Sequence, residues 1–143
     1  MTQRDHERRA PDVEFDFGHD DGAPSRARTA LAALIGDTAD PISKSVEAVT
    51  SEMVSNVVQH TSGGGTVRAW DPKPDKPFHI EVSDSSMDAL RVKRPDDDGG
   101  RGLHIVASLA DDWGVTVSAR GKTVWADFIR PETEQTVVGW RPR

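Results

Sequence analysis

The chain has 143 residues, which is the size of one ordinary domain. Its 18 Lys and Arg residues stand against 24 Asp and Glu residues, and the net charge of −6 argues against nucleic acid and membrane as partners. The absence of cysteine excludes a disulfide framework, a thiol nucleophile and a thiolate metal site. No apolar run approaches the roughly 20 residues of a membrane span, and the N-terminus carries no apolar signal segment, so we expect a cytoplasmic protein.

The first predicted elements follow a charged N-terminal tail, which we assign to residues 1–12. A run with strand character covers 13–17, and an alanine- and leucine-rich helix covers 25–35. Gly36 ends this helix because glycine readily adopts the positive φ of a helix C-terminus. The sequence therefore opens its domain, expected over 13–130, with a strand and then a helix.

The second predicted helix has the clearest boundaries. Asp40 stands at the N-cap position, Pro41 follows at the first helical position, and apolar residues recur every three or four positions up to about His60. Three glycines at 63–65 then break the helical pattern. This helix is the framework for the first group of candidate site residues.

The second half of the chain predicts a strand pair, a long segment without periodicity, a short helix and a hairpin. These regular elements are strands at 66–70, 78–82, 115–118 and 123–129, and a helix at 103–109. The segment 83–99 carries an acidic run at 96–98 and is too long for a routine connection, so it predicts a functional loop or lid. A polar tail, 131–143, ends the chain.

Two polar residues of the second helix form a candidate site. Glu52 and Asn56 are four positions apart and therefore line one stripe of the helix. An amide oxygen suits Mg²⁺, and a carboxylate one turn away can polarise a hydroxyl or a water. The alternative is that both are ordinary solvent-facing residues. His60, in the last turn, can interact with the helix dipole, which is the alternative to a catalytic role.

Two further candidates flank the long segment. Asp84 ends a strand next to a loop, where its carboxylate can accept a hydrogen bond from an exocyclic amine such as that of adenine. The alternative is an Asp that starts a turn. Gly100, Arg101 and Gly102 precede or open the third helix, where bare amides and a guanidinium can bind phosphate. Alternatively, these glycines mark only the change from loop to helix.

The order of these pieces resembles the ATP-binding domain shared by DNA gyrase, heat-shock protein 90, histidine kinases and mismatch-repair ATPases. Within that superfamily the chain is most similar to the small bacterial anti-sigma-factor serine/threonine kinases. The motifs that carry the resemblance are SEMVSNVVQHT, VSDSS and GRGLHIVASLADDWGV, and the resemblance spans residues 13–129. The chain departs from the second motif at Ser86 and Asp88, where many members have glycine.

The resemblance implies an α+β fold and a set of site residues. The fold is a two-layer α/β sandwich, in which a mixed, mainly antiparallel sheet of about five strands is covered on one face by about three helices. Asn56 would coordinate Mg²⁺, Glu52 would act as the base, and Asp84 would contact adenine, with Thr123 helping to hold the adenine from a neighbouring strand. The residues implied in phosphate binding are Gly100, Arg101, Gly102 and Leu103.

The resemblance also implies a function. The protein would transfer the γ-phosphate of Mg·ATP to a serine or threonine of an antagonist protein and would sequester a sigma factor; a homodimer is compatible with this. One alternative is a nucleotide-gated or non-catalytic partner-binding module of the same fold, which Ser86 and Asp88 favour. Another is a detached histidine-kinase catalytic domain, but the chain has no room for the dimerising helical hairpin with its phosphoaccepting histidine.

Overall fold

The computed structural model describes residues 9–36, 41–61, 63–71, 77–84, 101–119 and 121–129. In chain order the elements are β1 (Val13–Phe17), α1 (Ala23–Ile35), α2 (Pro41–His60), β2 (Gly65–Trp70), β3 (Phe78–Asp84), α3 (Arg101–Leu109), β4 (Asp112–Ser118) and β5 (Gly121–Phe128). The predicted α+β class is confirmed, with five strands and three helices in the described part of the chain.

The five strands form one sheet in the order β1-β2-β3-β5-β4. We expected a mixed, mainly antiparallel sheet, and each of the four described pairings is antiparallel. The reason lies in the position of β5. Strand β4 runs parallel to β3, but β5 inserts between them and is antiparallel to both, so the described strands include no parallel neighbours.

The first two helices pack together and are joined at their ends. In α1 the buried residues Ala23, Ala27, Leu31 and Ile35 recur every four positions and form one stripe. The helix ends as expected at Gly36, which adopts a positive φ of 82°. In the first turn of α2 the buried Ser43 Oγ donates to the Ile35 carbonyl oxygen at 2.6 Å. This buried hydrogen bond fixes the start of α2 against the end of α1.

The hydrophobic core lies between the helices and one face of the sheet, which we call the inner face. Strand β3 contributes Phe78, Ile80 and Val82 to it, and α3 contributes Val106. Each apolar side chain of this size contributes about 1.5–3 kcal/mol when it is fully buried. The core therefore holds the sheet and the three helices together as one unit.

The opposite, outer face of the sheet is not covered by any helix of the described residues, yet it is partly closed. The N-terminal segment 9–12 lies against it, because Trp70 Nε1 donates to the Arg9 carbonyl oxygen at 2.8 Å and the Asp12 amide donates to the Ala69 carbonyl oxygen at 2.9 Å. We assigned residues 1–12 to a tail; the structure attaches the chain to the sheet from Arg9 onward.

Several expectations fall on residues outside the described ranges. Of the predicted loop 83–99, the first two residues belong to β3, and 85–99 lies outside the described part. The same holds for the N-cap at Asp40, the hairpin residue Arg120 and the tail 131–143. Within the described residues, no helix combines the length and apolar character that crossing a membrane requires.

Candidate functional site

The carboxylate and amide stripe of α2 lies at the border of the buried face of that helix. Glu52 and Asn56 are both half-buried, while the neighbouring predicted core residues Met53 and Val57 are buried. The apolar period of α2 fixes this orientation, because a stripe that is one position away from the core stripe lies at its edge. Glu52 and Asn56 therefore lie at the edge of the core. His60 follows in the last turn and is also half-buried.

Asp84 is buried at the end of β3. A turn-initiating aspartate is expected to be exposed, but Asp84 is only 3 % exposed and still belongs to the strand. The local sequence explains this position, since alternation along β3 sends Phe78, Ile80, Val82 and Asp84 to the same inner face. A carboxylate thus terminates an otherwise apolar row.

The end of α2 and the end of β3 lie at the same end of the sheet. Helix α2 ends at His60, β2 begins only five residues later at Gly65, and Thr66 of β2 pairs with Ser83 of β3. Helix α3 packs against α2. The topology therefore brings the C-terminal half of α2, the end of β3 and the helix that follows the 85–100 segment into one region.

The predicted phosphate-binding residues are described only in part. Gly100 lies outside the described residues. The backbone of Arg101 and Gly102 belongs to the first turn of α3, which begins two residues earlier than expected, and Leu103 is half-buried. An α-helix N-terminus carries amides that lack intrahelical partners and a partial positive charge. Phosphate binding by these four residues stays a prediction.

Thr123 does not share the face of Asp84. Residues paired directly across neighbouring strands point to the same face, and the next residue points to the other. Asp84 pairs with Lys122, whereas Thr123 pairs with Ser83 on the outer face, where the two hydroxyl oxygens are 3.0 Å apart. The residue opposite Asp84 is therefore Lys122, and the register of β5 turns Thr123 away from the inner face.

An open groove of about 670 Å³ lies on the outer face and reaches Asp84 and Lys122 at its end. Hydroxyl side chains from four adjacent strands line it in one cross-strand row: Thr66, Ser83, Thr123 and Thr116. Their hydroxyls are partly used within the sheet, since Thr66 donates to Asp16 at 2.8 Å and Ser83 contacts Thr123. We assign no ligand to this row.

A buried charged cluster on the outer face was not predicted from the sequence. The His79 ring is fully buried; its Nδ1 contacts Asp127 Oδ1 and its Nε2 lies 2.9 Å from Glu81 Oε2. Trp125 stacks on this ring at 5.8 Å, and Trp70 meets it edge-on at 5.3 Å. One sequence feature could have indicated part of this cluster: His79 and Glu81 are two positions apart on β3, so both side chains lie on one face.

The carboxylates of this cluster control the protonation of His79. Burial by itself lowers the pKa of the imidazole, but the hydrogen bonds to Asp127 and Glu81 and the negative charges of both outweigh it. The net effect is a pKa of His79 above its ordinary value of 6.5. His79 is thus favoured as an imidazolium between two carboxylates.

The Asn56 side chain fits a magnesium ion that is also bound by the phosphates of a substrate. Among the described residues, no group of three or more His, Cys, Asp or Glu side chains is arranged to hold a metal. Mg²⁺ does not require such a cage, since it keeps several waters and binds through one or two protein oxygens together with phosphates. The half-buried Asn56 amide oxygen is a ligand of this kind, with the Glu52 carboxylate one turn away.

The comparisons with known proteins decide the family. Residues 20–128 match the histidine kinase-like ATPase domain, and this match covers all the described helices and strands except β1. The chain belongs to this family. The superfamily expected from the three motifs is therefore confirmed.

One solved structure supports the fold of this histidine kinase-like ATPase domain. The RsbU and RsbW domains of a Mycobacterium tuberculosis protein superpose with a TM-score of 0.60 at 20 % identity, over 86 % of this chain and 34 % of that one. The chain thus spans about a third of that protein. A blue-light activated histidine kinase of Erythrobacter litoralis is also similar, with a TM-score of 0.48 at 20 % identity over 85 % of this chain and 65 % of that one. No curated protein matches the chain.

Family membership identifies the ligand class of the site. An ATPase domain binds ATP, so the region formed by α2, the end of β3 and the start of α3 is the candidate nucleotide site. The charged cluster around His79 lies on the other face of the sheet and is separate from this region.

Proposed function

We propose that this domain is a protein kinase that transfers the γ-phosphate of ATP to a serine or threonine of an antagonist protein, and that it sequesters a sigma factor. The observation that carries the proposal is the half-buried Glu52 and Asn56 stripe at the same end of the fold as the buried Asp84. In this proposal Glu52 supplies a carboxylate for catalysis, Asn56 supplies an amide for the metal, and Asp84 supplies a carboxylate that binds the nucleobase. The protein is proposed to act in the cytoplasm.

The proposed roles follow from the chemistry of each side chain. Asp84 accepts a hydrogen bond from the adenine amino group, because an ionised carboxylate is an acceptor only. Asn56 holds Mg²⁺, which when bound neutralises charge that develops on the transferred phosphoryl group. Glu52 accepts the proton of the attacking hydroxyl, whose oxygen forms a bond to the γ-phosphorus as ADP leaves. Phosphoryl transfer of this kind depends mainly on positioning and charge.

The phosphates are proposed to bind at the start of α3. The residues of this segment are Gly100, Arg101, Gly102 and Leu103. A helix N-terminus favours an anion through its free amides and dipole, and the Arg101 guanidinium would add bidentate contacts. The packing of α3 against α2 supports this proposal, since it brings the helix that starts with the proposed phosphate-binding segment against the helix that carries Asn56.

A second candidate is a nucleotide-gated or non-catalytic module that binds a regulatory partner. It is favoured by Ser86 and Asp88, which replace two glycines of the second motif in the resembled kinases. Both residues lie outside the described ranges. A residue with a side chain restricts how closely the backbone approaches a ligand, and this would weaken the phosphate contacts that catalysis needs.

The first experiment tests the metal-dependent site. ATP is titrated into the wild-type protein and into the Asn56→Ala variant, and calorimetry measures both affinities. With Mg²⁺ present, we expect the variant to bind at least about tenfold more weakly, or about 1.4 kcal/mol, because a metal ligand is lost. With the metal chelated, the two proteins should bind alike. The matched control is Gln59→Ala, an exposed position on the same helix.

Equal affinities of the wild type and Asn56→Ala in Mg²⁺ would refute the assignment of Asn56. Kinase activity needs its own test, in which γ-labelled ATP is incubated with the domain and its co-purified partner. Label on a serine or threonine of the partner supports the kinase. A partner that stays bound but is never labelled would favour the non-catalytic module.

A further inference from the structure

We propose that Lys122 reads the nucleobase together with Asp84, with the ammonium donating to N1 of adenine while the carboxylate accepts from the adjacent amino group. This inference rests on the proposed nucleotide site and adds a specificity-determining residue to it. In the sequence Lys122 stands next to a predicted hairpin turn, and no local pattern marks it as a site residue.

The register of the sheet places Lys122 and Asp84 side by side. They are direct partners of the antiparallel β3–β5 pair. Side chains at such positions share a face, and their Cβ atoms are about 4.5–5.5 Å apart. A ligand that reaches one of them from the end of the sheet is therefore within reach of the other.

The charges of the sheet single out Lys122. Among the described strand residues, the basic side chains are Arg68, Lys122 and His79, and His79 lies in the buried cluster on the outer face. Arg68 lies on the outer face, where its Nε is 2.9 Å from Glu14 Oε2. Lys122 is thus the cation of the described strands that shares the inner face with Asp84. A lysine ammonium carries three donors and no acceptor, the complement of the carboxylate.

This pair of groups matches the edge of adenine. The amino group on C6 is a donor, and the neighbouring ring nitrogen N1 is an acceptor. A carboxylate and an ammonium set side by side therefore satisfy both positions at once, and a charged donor makes the stronger kind of hydrogen bond. A carboxylate alone would leave N1 without a protein donor.

The neighbour of Lys122 on β4, Val117, supports the binding of a flat apolar ring at this position. Val117 of β4 pairs with Lys122 and so lies on the inner face, yet it is 43 % exposed. The other large apolar residues of this face in the described strands are buried, as Val82 and Phe128 are, or half-buried, as Val115 and Val124 are. A purine ring held by Asp84 and Lys122 would extend along this row and cover Val117.

The test compares ATP with its 1-deaza analogue, in which N1 is replaced by a C–H group. Calorimetric titrations in Mg²⁺ are run on the wild type and on Lys122→Met. We expect the wild type to bind the analogue about tenfold more weakly than ATP, because one charged hydrogen bond is lost. We expect Lys122→Met to bind ATP about tenfold more weakly and to bind both nucleotides alike.

Three controls make each outcome decisive. Lys44→Met removes an exposed lysine of α2 and should retain wild-type affinities. Lys122→Arg, which keeps the charge and the donors, should keep the preference for ATP. Urea unfolding of Lys122→Met should show one cooperative transition near that of the wild type.

Two results would overturn the inference while leaving the nucleotide site intact. One is a wild type that binds ATP and 1-deaza-ATP equally; the other is a Lys122→Met variant that discriminates between them as the wild type does. A wild type that binds neither nucleotide would instead contradict the proposed function, and the role of Lys122 would fall with it.

Discussion

At His79 an imidazole is fully buried on the face of the sheet that the described helices leave uncovered. Two carboxylates and two tryptophans enclose it, and the carboxylates balance its charge. Removing one partner of such a buried group typically costs about 3–5 kcal/mol, because the remaining charge is left uncompensated. The cluster thus stabilises the contact between β3, which carries His79 and Glu81, and β5, which carries Asp127.

The raised pKa of His79 predicts a specific pH dependence of stability. The stabilisation from this proton is fully present below the ordinary pKa of 6.5 and is lost as the pH rises through the higher pKa of the folded state. Urea unfolding between pH 6 and 9 should therefore show a free energy of unfolding that decreases with pH. One proton contributes a slope of up to about 1.4 kcal/mol per pH unit.

A double variant, Glu81→Gln with Asp127→Asn, should reverse the sign of this contribution. Only burial then acts on His79, and burial lowers its pKa, so this residue would favour folding more strongly as the pH rises. His104→Gln, at an exposed position of α3, serves as the control and should keep the wild-type slope. An unchanged slope in the double variant would show that the carboxylates do not set the protonation of His79.

At the scale of the strands, one glycine determines how β4 meets β5. Gly114 pairs with Trp125, and a Cβ added at Gly114 would lie 2.8 Å from Cζ2 of that indole. The Trp125 indole therefore packs on Gly114, and it also stacks on the His79 ring. Gly114 thus makes the space that lets Trp125 cover the buried cluster.

Gly114→Ala should consequently destabilise the domain. The added methyl group forces Trp125 to move, and overpacking of this kind typically costs about 1–3 kcal/mol. The measurement is the urea midpoint of unfolding. Gly63→Ala is the matched control, since a Cβ at that position meets nothing within 4 Å. If both variants unfold at the same urea concentration, the contact between Trp125 and Gly114 has no role in stability.

At the scale of the whole molecule, the two faces of the sheet have different functions. The inner face holds the apolar core and, at one end, the candidate nucleotide site. The outer face holds the His79 cluster and the attachment of the N-terminal segment 9–12. Because the sheet separates them, substitutions on one face can be used as controls for the other.

The attachment of the N-terminal segment predicts where the folded unit begins. A chain starting at residue 9 keeps hydrogen bonds that a chain starting at residue 13 loses. Three of them are shorter than 3 Å, including one at 2.7 Å from the Asp71 amide to Asp12 Oδ2. Each such bond contributes about 0.5–1.5 kcal/mol net. Deletion of residues 1–12 should therefore lower the free energy of unfolding by about 1.5–4.5 kcal/mol relative to deletion of residues 1–8.

Chemical denaturation of the two truncated proteins measures this difference, and ATP titration of both serves as the control. The two should bind nucleotide alike, since the deleted segment lies on the outer face. Equal stabilities would mean that the unit begins at Val13, as the composition of the tail indicated.

Local patterns in the sequence were sufficient for the elements and the family. Apolar spacing predicted α2, a glycine with positive φ ended α1, and alternation predicted the core-facing residues of β3. These features depend on neighbours a few positions apart in the chain, which is why a single sequence contains them. The order of three short motifs was enough to indicate the superfamily.

The pairing of distant strands was decided only in the folded chain. A shift of one residue between β3 and β5 exchanges the two faces, and this register puts Lys122, not Thr123, opposite Asp84. The His79 cluster likewise depends on bringing Asp127 beside a strand that lies 48 positions earlier. Residues far apart in sequence meet according to packing and register, which no local pattern contains.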